Sequence, residues 1–225
     1  MGETRLTLFI GNRNYSSWSL RPWLLMRQLG LRFEERKLAL FTDEFRRELA
    51  AVTPAGRVPV LVADGFPVWD SLAIAEFLAD AYPELGVWPR DAKARARARC
   101  VCAEMHAGFQ ALRGRMPVNI EARFPGLGLN PQVQADIDRI ASMWSGLRSE
   151  HAAGGPFLFG RFSAADAFYA PVITRFDTYG VELDPVCEEY RKAVHALPAM
   201  REWIAAALEE RTFVAEDEPY RRSRD

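Results

Sequence analysis

Residues 53–71 have the sequence TPAGRVPVLVADGFPVWDS, which contains the signals for two strands and the start of a helix. The apolar runs 58–62 and 66–69 flank Asp64-Gly65, a dipeptide that favours the tight turn of a β-hairpin. Pro59 has no N–H to donate to a sheet, so it belongs at the start, edge or bulge of the first strand. Ser71 then opens a helix predicted to reach residue 81. The stretch therefore predicts a strand, a turn, a second strand and a helix.

Upstream of this hairpin, strands and helices alternate. The run LTLFI predicts a buried strand over 6–10. A helix follows to about residue 29, where Gly30 is placed to end it. A second strand is predicted over 33–40, and a short helix begun by Thr42 runs to 49. The order is therefore βαβαββα, which we assign to an α/β domain over residues 1–83.

Downstream of Tyr82-Pro83 the pattern becomes helical. Residues 84–89 are predicted to form a linker, and residues 90–225 a second, all-helical domain. Its predicted helices cover 91–115, 131–152, 163–179, 185–196 and 198–210. The fold class is therefore α/β plus all-α.

Composition excludes several classes of function. A length of 225 residues with 49% hydrophobic content suffices for two packed domains. The net charge of −1 is spread along the chain, which argues against binding to nucleic acid or anionic lipid. No apolar run approaches the roughly 18 residues of a membrane span, and no secretion signal is visible, so we expect a cytoplasmic protein. The three cysteines lack metal-ligand spacing, so neither a metal nor disulfides are expected.

Three serines follow the first predicted strand, namely Ser16, Ser17 and Ser19. A serine at this point can simply cap the next helix by accepting a backbone N–H. The same helix end also favours an anion, because its free N–H groups and positive dipole point outward. A serine hydroxyl there could donate to a thiolate and lower the thiol pKa from its ordinary value of about 8.5. From these residues alone, both interpretations stay open.

Two dipeptides later in the α/β half also allow both a structural and a ligand-binding interpretation. Val58-Pro59 fits an ordinary edge strand, but a cis bond would turn the Val58 backbone outward to pair with an extended peptide. Asp70-Ser71 fits a helix cap, but it also offers an acid for an ammonium group and a helix end for a carboxylate. In the helical half, the sequence from Ser163 to Asp166 is a capping-box variant with a structural role.

The order of these features resembles the cytosolic glutathione transferases over nearly the whole chain. The resemblance implies a thioredoxin-like N-terminal domain, a cis bond before Pro59 and an all-helical C-terminal domain. It also implies an enzyme that activates the glutathione thiol as a thiolate for attack on an electrophilic small molecule, without a metal. Relatives usually form twofold dimers, so a homodimer is expected.

The resemblance also implies roles for individual residues. Ser16 would be the catalytic residue that serves the glutathione sulfur, with Ser17 as the alternative. The zeta class, whose motif is Ser-Ser-Cys-x-Trp-Arg, is nearest, although Trp18 and Leu20 replace its cysteine and tryptophan. The implied glutathione-binding residues are Arg57, Val58, Pro59, Asp70 and Ser71. A wall for the second substrate is expected from Tyr15, His106, Phe109 and Arg113.

Several activities remain compatible with this resemblance. Zeta enzymes isomerise maleylacetoacetate, and other relatives reduce peroxides through the same thiolate. A non-catalytic interaction protein of the same fold is an alternative of another class. Retention of Ser16, Val58-Pro59 and Asp70-Ser71 favours an enzyme.

Overall fold

The computed structural model describes residues 4–224 of the chain. In its N-terminal part, strands and helices follow the predicted order βαβαββα. They are β1 Leu6–Ile10, α1 Ser17–Gln28, β2 Glu34–Lys37, α2 Asp43–Ala50, β3 Val60–Ala63, β4 Phe66–Val68 and α3 Ser71–Ala81.

The strands form one mixed sheet in the order β2-β1-β3-β4. Strand β1 pairs in parallel with β2, whereas β3 is antiparallel to both β1 and β4. The hairpin turn falls at Asp64-Gly65, where the φ angles of 48° and 86° suit a tight turn of the type that matches strand twist. The predicted thioredoxin-like arrangement and its hairpin are confirmed.

Strand β2 is shorter than the predicted 33–40. It ends at Lys37, and the backbone N–H of Leu40 donates to the side-chain oxygen of Asn12 at 2.9 Å instead of continuing the ladder. Asn12 lies in the loop after β1, so this bond draws the segment after β2 towards that loop. Leu40 and Phe41 consequently line the main cavity of the molecule.

The C-terminal part is helical, with α4 Ala92–Ala107, α5 Gln110–Arg115, α6 Pro131–His151, α7 Ala164–Tyr179, α8 Pro185–Ala196 and α9 Pro198–Glu210. The prediction of one helix over 91–115 is wrong, because the chain breaks at Gly108-Phe109. A Cβ on Gly108 would lie 2.7 Å from the carbonyl oxygen of Glu104, so the break needs glycine. Phe109 takes a left-handed φ of 56° and is buried. Among residues 4–224, no helix is both long and apolar enough to cross a membrane.

Helix α7 joins the two halves of the molecule by packing against α1 in one continuous hydrophobic core. Its first turn carries the predicted capping box, in which Asp166 accepts the N–H of Ser163 at 2.9 Å. The other carboxylate oxygen of Asp166 accepts the N–H of Leu158 at 3.0 Å. Burial raises the pKa of Asp166 to about 6. The box therefore fixes the start of the helix against which the N-terminal domain is held.

Candidate active site

A cleft lies beside the loop that follows β1 and is lined by residues of both halves of the chain. It comprises two adjoining cavities of about 660 and 480 Å³. The larger contains Ser16 and Ser17, and the smaller contains Asp70. The residues that line both are Trp18, Arg57, Val58 and Arg113. The cavities therefore form one elongated cleft that runs from the serines to Asp70.

The loop that carries the serines is held by residues close to the C-terminus. The backbone N–H groups of Arg13 and Asn14 donate to the carboxylate of Glu210 at 2.9 and 3.4 Å. The amide of Asn14 donates to the side chain of Asn119 at 3.0 Å. Because these bonds span about a hundred residues or more of sequence, the tertiary fold rather than the local sequence sets the position of the loop.

Tyr15 is tied to the same C-terminal region. Its hydroxyl donates to Glu218 at 2.6 Å, and Glu218 also accepts from the amide of Asn119 at 2.8 Å. Burial, with a smaller contribution from Glu218, raises the pKa of Tyr15 to about 12. Tyr15 lines the larger cavity, but its hydroxyl proton is already committed to Glu218.

Ser16 caps α1 at the floor of the cleft. Its side-chain oxygen accepts the N–H of Ser19 at 3.3 Å, and its hydroxyl donates to the Ser19 hydroxyl oxygen at 2.7 Å. The Ser19 oxygen also accepts the N–H of Gly11 at 3.0 Å, and Ser19 is completely buried. Ser16 and Ser17 each retain 8% exposure, so both reach the cavity surface. The predicted helix cap is therefore present, and it lies at the surface of the cavity.

The middle of the cleft is formed by the chain before β3. The Val58–Pro59 peptide bond is cis, as the resemblance implies. Pro59 is buried, whereas Val58 is half-buried and Arg57 is exposed. Val58 thus lies on the cleft surface next to a cationic side chain.

At its far end the cleft meets the start of α3. One carboxylate oxygen of Asp70 accepts the N–H groups of Leu72 and Ala73, at 2.9 and 3.4 Å. The other oxygen lies 3.0 Å from Nε2 of His106 on α4. Ser71 is completely buried, and its hydroxyl has no hydrogen-bond partner in the described part of the chain. This end of the cleft therefore offers one carboxylate oxygen of Asp70 beside the start of a helix.

Trp18 separates the two ends of the cleft. The guanidinium carbons of Arg21 and Arg113 lie 4.1 and 4.8 Å from the centre of its ring, which is cation–π geometry. Burial, together with the nearby arginines, lowers the pKa of Arg21 to about 9, so it stays charged at neutral pH. Trp18 is therefore held by one arginine of its own helix and one of α5.

Comparisons with known proteins identify the family of the chain. Residues 15–81 match the glutathione S-transferase N-terminal domain, and residues 130–206 match the C-terminal domain of the same family. The two matches together cover more than half of the chain. This chain belongs to the glutathione S-transferase family.

Relatives within the glutathione S-transferase family include zeta-class proteins. The chain is 25% identical over 189 residues to a probable maleylacetoacetate isomerase of Caenorhabditis elegans, covering 82% of this chain and 85% of that protein. It is 25% identical over 212 residues to glutathione S-transferase Z1 of Arabidopsis thaliana, covering 89% and 91%. A glutathione transferase homologue from Burkholderia, solved with bound glutathione, superposes with a TM-score of 0.70 at 25% identity, covering 91% and 99%. The family resemblance inferred from the motifs is confirmed.

Most site residues predicted from the sequence line the cleft of this glutathione S-transferase: Tyr15, Ser16, Ser17, Arg57, Val58, Pro59, Asp70, His106 and Arg113. Ser71 and Phe109 line neither cavity. Ser71 is buried at the start of α3. Phe109 was placed on the substrate wall by assuming an unbroken helix, but the break at Gly108 turns its ring into the core, where it is 7% exposed.

Sequence reasoning missed a second arginine in the larger cavity. Arg175 on α7 is buried and donates to the carbonyl oxygens of Met116 and Pro171 at 2.8 and 3.3 Å. Burial, with Arg113 nearby, lowers the pKa of Arg175 to about 9. Among residues 4–224, no carboxylate forms an ion pair with Arg113 or Arg175. The mid-helix position of Arg175 gave no signal in the sequence.

The larger cavity also contains one acid, Asp217, which follows the last long helix. Burial, together with Glu216 and Glu218, raises the pKa of Asp217 to about 6. Within the described residues, no group of three or more His, Cys, Asp or Glu side chains is arranged to hold a metal ion. Apart from Asp70 and Asp217, the charged side chains that line the cleft are arginines.

Proposed function

We propose that this chain is a glutathione transferase that binds glutathione along the cleft, with the sulfur at Ser16 and the γ-glutamyl end at Asp70. The observation that carries the proposal is the position of Ser16, which caps α1 inside a cleft that continues past Val58 to Asp70. A helix N-terminus and a hydroxyl donor at one point favour a thiolate over a thiol. As in the rest of the family, we expect a homodimer acting in the cytoplasm.

The remaining cleft residues match the chemical groups of glutathione. The half-buried Val58 backbone beside a cis proline can pair with the cysteinyl peptide unit. The exposed guanidinium of Arg57 can meet the glycyl carboxylate. Asp70 offers its second oxygen to the γ-glutamyl ammonium, and the start of α3 at Ser71 offers a helix N-terminus to the carboxylate at the same end.

Ser19 allows the Ser16 hydroxyl to donate its hydrogen bond to the glutathione sulfur. Each serine hydroxyl has one rotatable proton, so the 2.7 Å bond between the two oxygens can run in either direction. When the Ser19 proton turns towards Ser16, the Ser16 proton is free to point at the sulfur. The N–H of Gly11 continues to hold the Ser19 oxygen at 3.0 Å. Ser16 therefore stabilises the thiolate by donating a hydrogen bond, without losing its proton.

The reaction then needs little further from the protein. The thiol proton leaves to solvent, the sulfur lone pair forms a bond to the electrophilic carbon, and the leaving group departs with its electron pair. Arg113 and Arg175, on the wall of the larger cavity, can stabilise negative charge on the electrophile.

A pH–rate profile of Ser16→Ala, Ser17→Ala and the parent tests this proposal. Loss of the Ser16 donor raises the pKa of bound glutathione, so we expect conjugation at neutral pH to slow by about 10²-fold or more. The deficit shrinks at high pH, where the thiol ionises unaided, and glutathione affinity changes little. Ser17→Ala is the matched control. If Ser17→Ala shifts the profile instead, the donor is Ser17, and if neither does, the serine mechanism is wrong.

A glutathione-dependent isomerase is the second candidate, favoured by the unpaired Arg113 and Arg175 and by relatives named maleylacetoacetate isomerase. Addition of the thiolate to an activated double bond, rotation about the new single bond and elimination would return glutathione unchanged. Trp18, in place of the zeta-class cysteine, argues against an identical substrate site. Incubation with cis-unsaturated carboxylates decides between the two: catalytic glutathione supports isomerisation, and stoichiometric thioether formation supports transfer.

A further inference from the structure

His106 contacts the acid that the proposed function assigns to the γ-glutamyl end of glutathione. Its Nε2 atom lies 3.0 Å from Oδ2 of Asp70, so the side chain bridges α4 and the start of α3. The sequence had placed His106 on the wall for the second substrate. In the structure it lines only the smaller cavity, together with Asp70, and not the cavity that contains the serines.

The two oxygens of the Asp70 carboxylate have different contacts. Oδ1 accepts two backbone N–H groups of α3, from Leu72 and Ala73, and is fully used as a helix cap. Oδ2 lies 3.0 Å from Nε2 of His106, and 52% of the Asp70 side chain remains exposed. Oδ2 is therefore the oxygen that a ligand ammonium can reach.

The His106 ring is itself held in place. It packs edge-on against Trp18, with 5.1 Å between ring centres and an interplanar angle of 75°. Nδ1 is buried and has no hydrogen-bond partner among residues 4–224, and Nε2 is the ring nitrogen that faces Asp70. The backbone oxygen of His106 also accepts from Arg113 at 3.3 Å. The ring that contacts Asp70 is thus held in place before any ligand arrives.

We propose that His106 is a positioning residue for glutathione: the contact of its Nε2 with the free oxygen of Asp70 holds that carboxylate towards the γ-glutamyl ammonium. This inference rests on the proposed function. The contact restrains rotation of the Asp70 carboxylate, whose other oxygen caps α3. The ammonium therefore meets a carboxylate that is already oriented. Pre-orientation of this kind raises affinity by lowering the ordering cost of binding.

His106→Phe tests the inference, because phenylalanine keeps a ring against Trp18 and removes the nitrogen that contacts Asp70. His106→Gln, which keeps an N–H donor, is the matched variant. Each is titrated calorimetrically with glutathione and with N-acetylglutathione, whose acylated amine cannot bind Asp70 as an ammonium. We expect His106→Phe to weaken glutathione binding about 5- to 10-fold, with near-parental affinity restored in His106→Gln. N-acetylglutathione affinity and kcat at saturating glutathione stay unchanged.

Three other outcomes are informative. Equal loss for both ligands means that the ring only packs against Trp18, and no loss for either means that the Asp70 contact contributes nothing to binding. Either result overturns the inference while leaving the proposed function intact. If the parent protein does not bind glutathione at all, the proposed function fails, and this inference fails with it. Thermal unfolding of both variants shows whether they are folded before titration.

Discussion

The two ends of the cleft are held in different ways. The serine loop is buried and is bonded to residues far away in sequence, with Glu210 holding its backbone and Glu218 holding Tyr15. The Asp70 end is half exposed and is held by the first turn of its own helix. Among residues 4–224, His106 is the side chain of the helical half that contacts Asp70.

This difference indicates what each end must do. A thiolate is stabilised only by a donor at the right place, so a rigid, buried loop suits the serine end. In the proposed binding mode the Asp70 end receives a flexible, charged group that must enter and leave, so an exposed carboxylate is sufficient there. Disturbing the serine end should therefore affect the folded state and the chemistry, whereas disturbing the Asp70 end should affect mainly binding.

The largest expected effect is that of Glu210→Ala. The Glu210 side chain is 3% exposed and also pairs with Lys37 at 3.1 Å, so its removal leaves two loop N–H groups and a cation without a partner. We expect the free energy of unfolding to fall by about 3 kcal/mol, measured by urea denaturation. Conjugation should slow as well, because Ser16 loses its fixed position.

The neighbouring, exposed Glu209 gives the control for this experiment. Glu209→Ala removes the same charge from the same helix and should change stability by less than about 0.5 kcal/mol. Similar losses for the two variants would contradict the idea that the C-terminal helix holds the serine loop.

The features that the sequence predicts are those that depend on nearby residues, as at the Asp70 end of the cleft. The Asp70 cap, the Asp64-Gly65 turn and the βαβαββα order depend on neighbours within a few residues, and all were predictable. Glu210 and Arg175 were not, because their roles depend on residues that are distant in sequence. The break at Gly108 did leave a signal, since glycine interrupts an otherwise regular helical pattern.

Asp70→Asn should produce an intermediate effect, confined to binding. Asparagine caps helices as well as aspartate does, so stability should stay within about 0.5 kcal/mol of the parent. Loss of the charge opposite the ligand ammonium should weaken glutathione binding by about 2 kcal/mol, or roughly 30-fold, in calorimetric titration. Asp70→Ala should lose the same binding and about 1 kcal/mol of stability in addition. Unaltered affinity in both variants would remove Asp70 from the glutathione site.

The smallest expected effect comes from Asp217, which shares the larger cavity with Arg113 and Arg175. Its pKa is raised to about 6, so the parent carries this negative charge at pH 7.5 and loses it as the pH falls through 6. The charge opposes the two arginines in attracting an anionic electrophile. Asp217→Asn should therefore lower KM for a carboxylate-bearing electrophile about 2- to 3-fold at pH 7.5, with glutathione saturating.

The pH dependence makes this last prediction specific to the serine end. Below pH 5 the parent Asp217 is protonated and neutral, like asparagine, so the KM difference between parent and variant should disappear. A neutral electrophile should show no difference at either pH, because only a charged substrate senses the carboxylate. Glutathione affinity, which the proposed binding mode assigns largely to contacts around Val58 and Asp70, should change little throughout. A KM difference that persists at pH 5, or that appears with the neutral electrophile, would mean that Asp217 acts through the shape of the cavity and not through its charge.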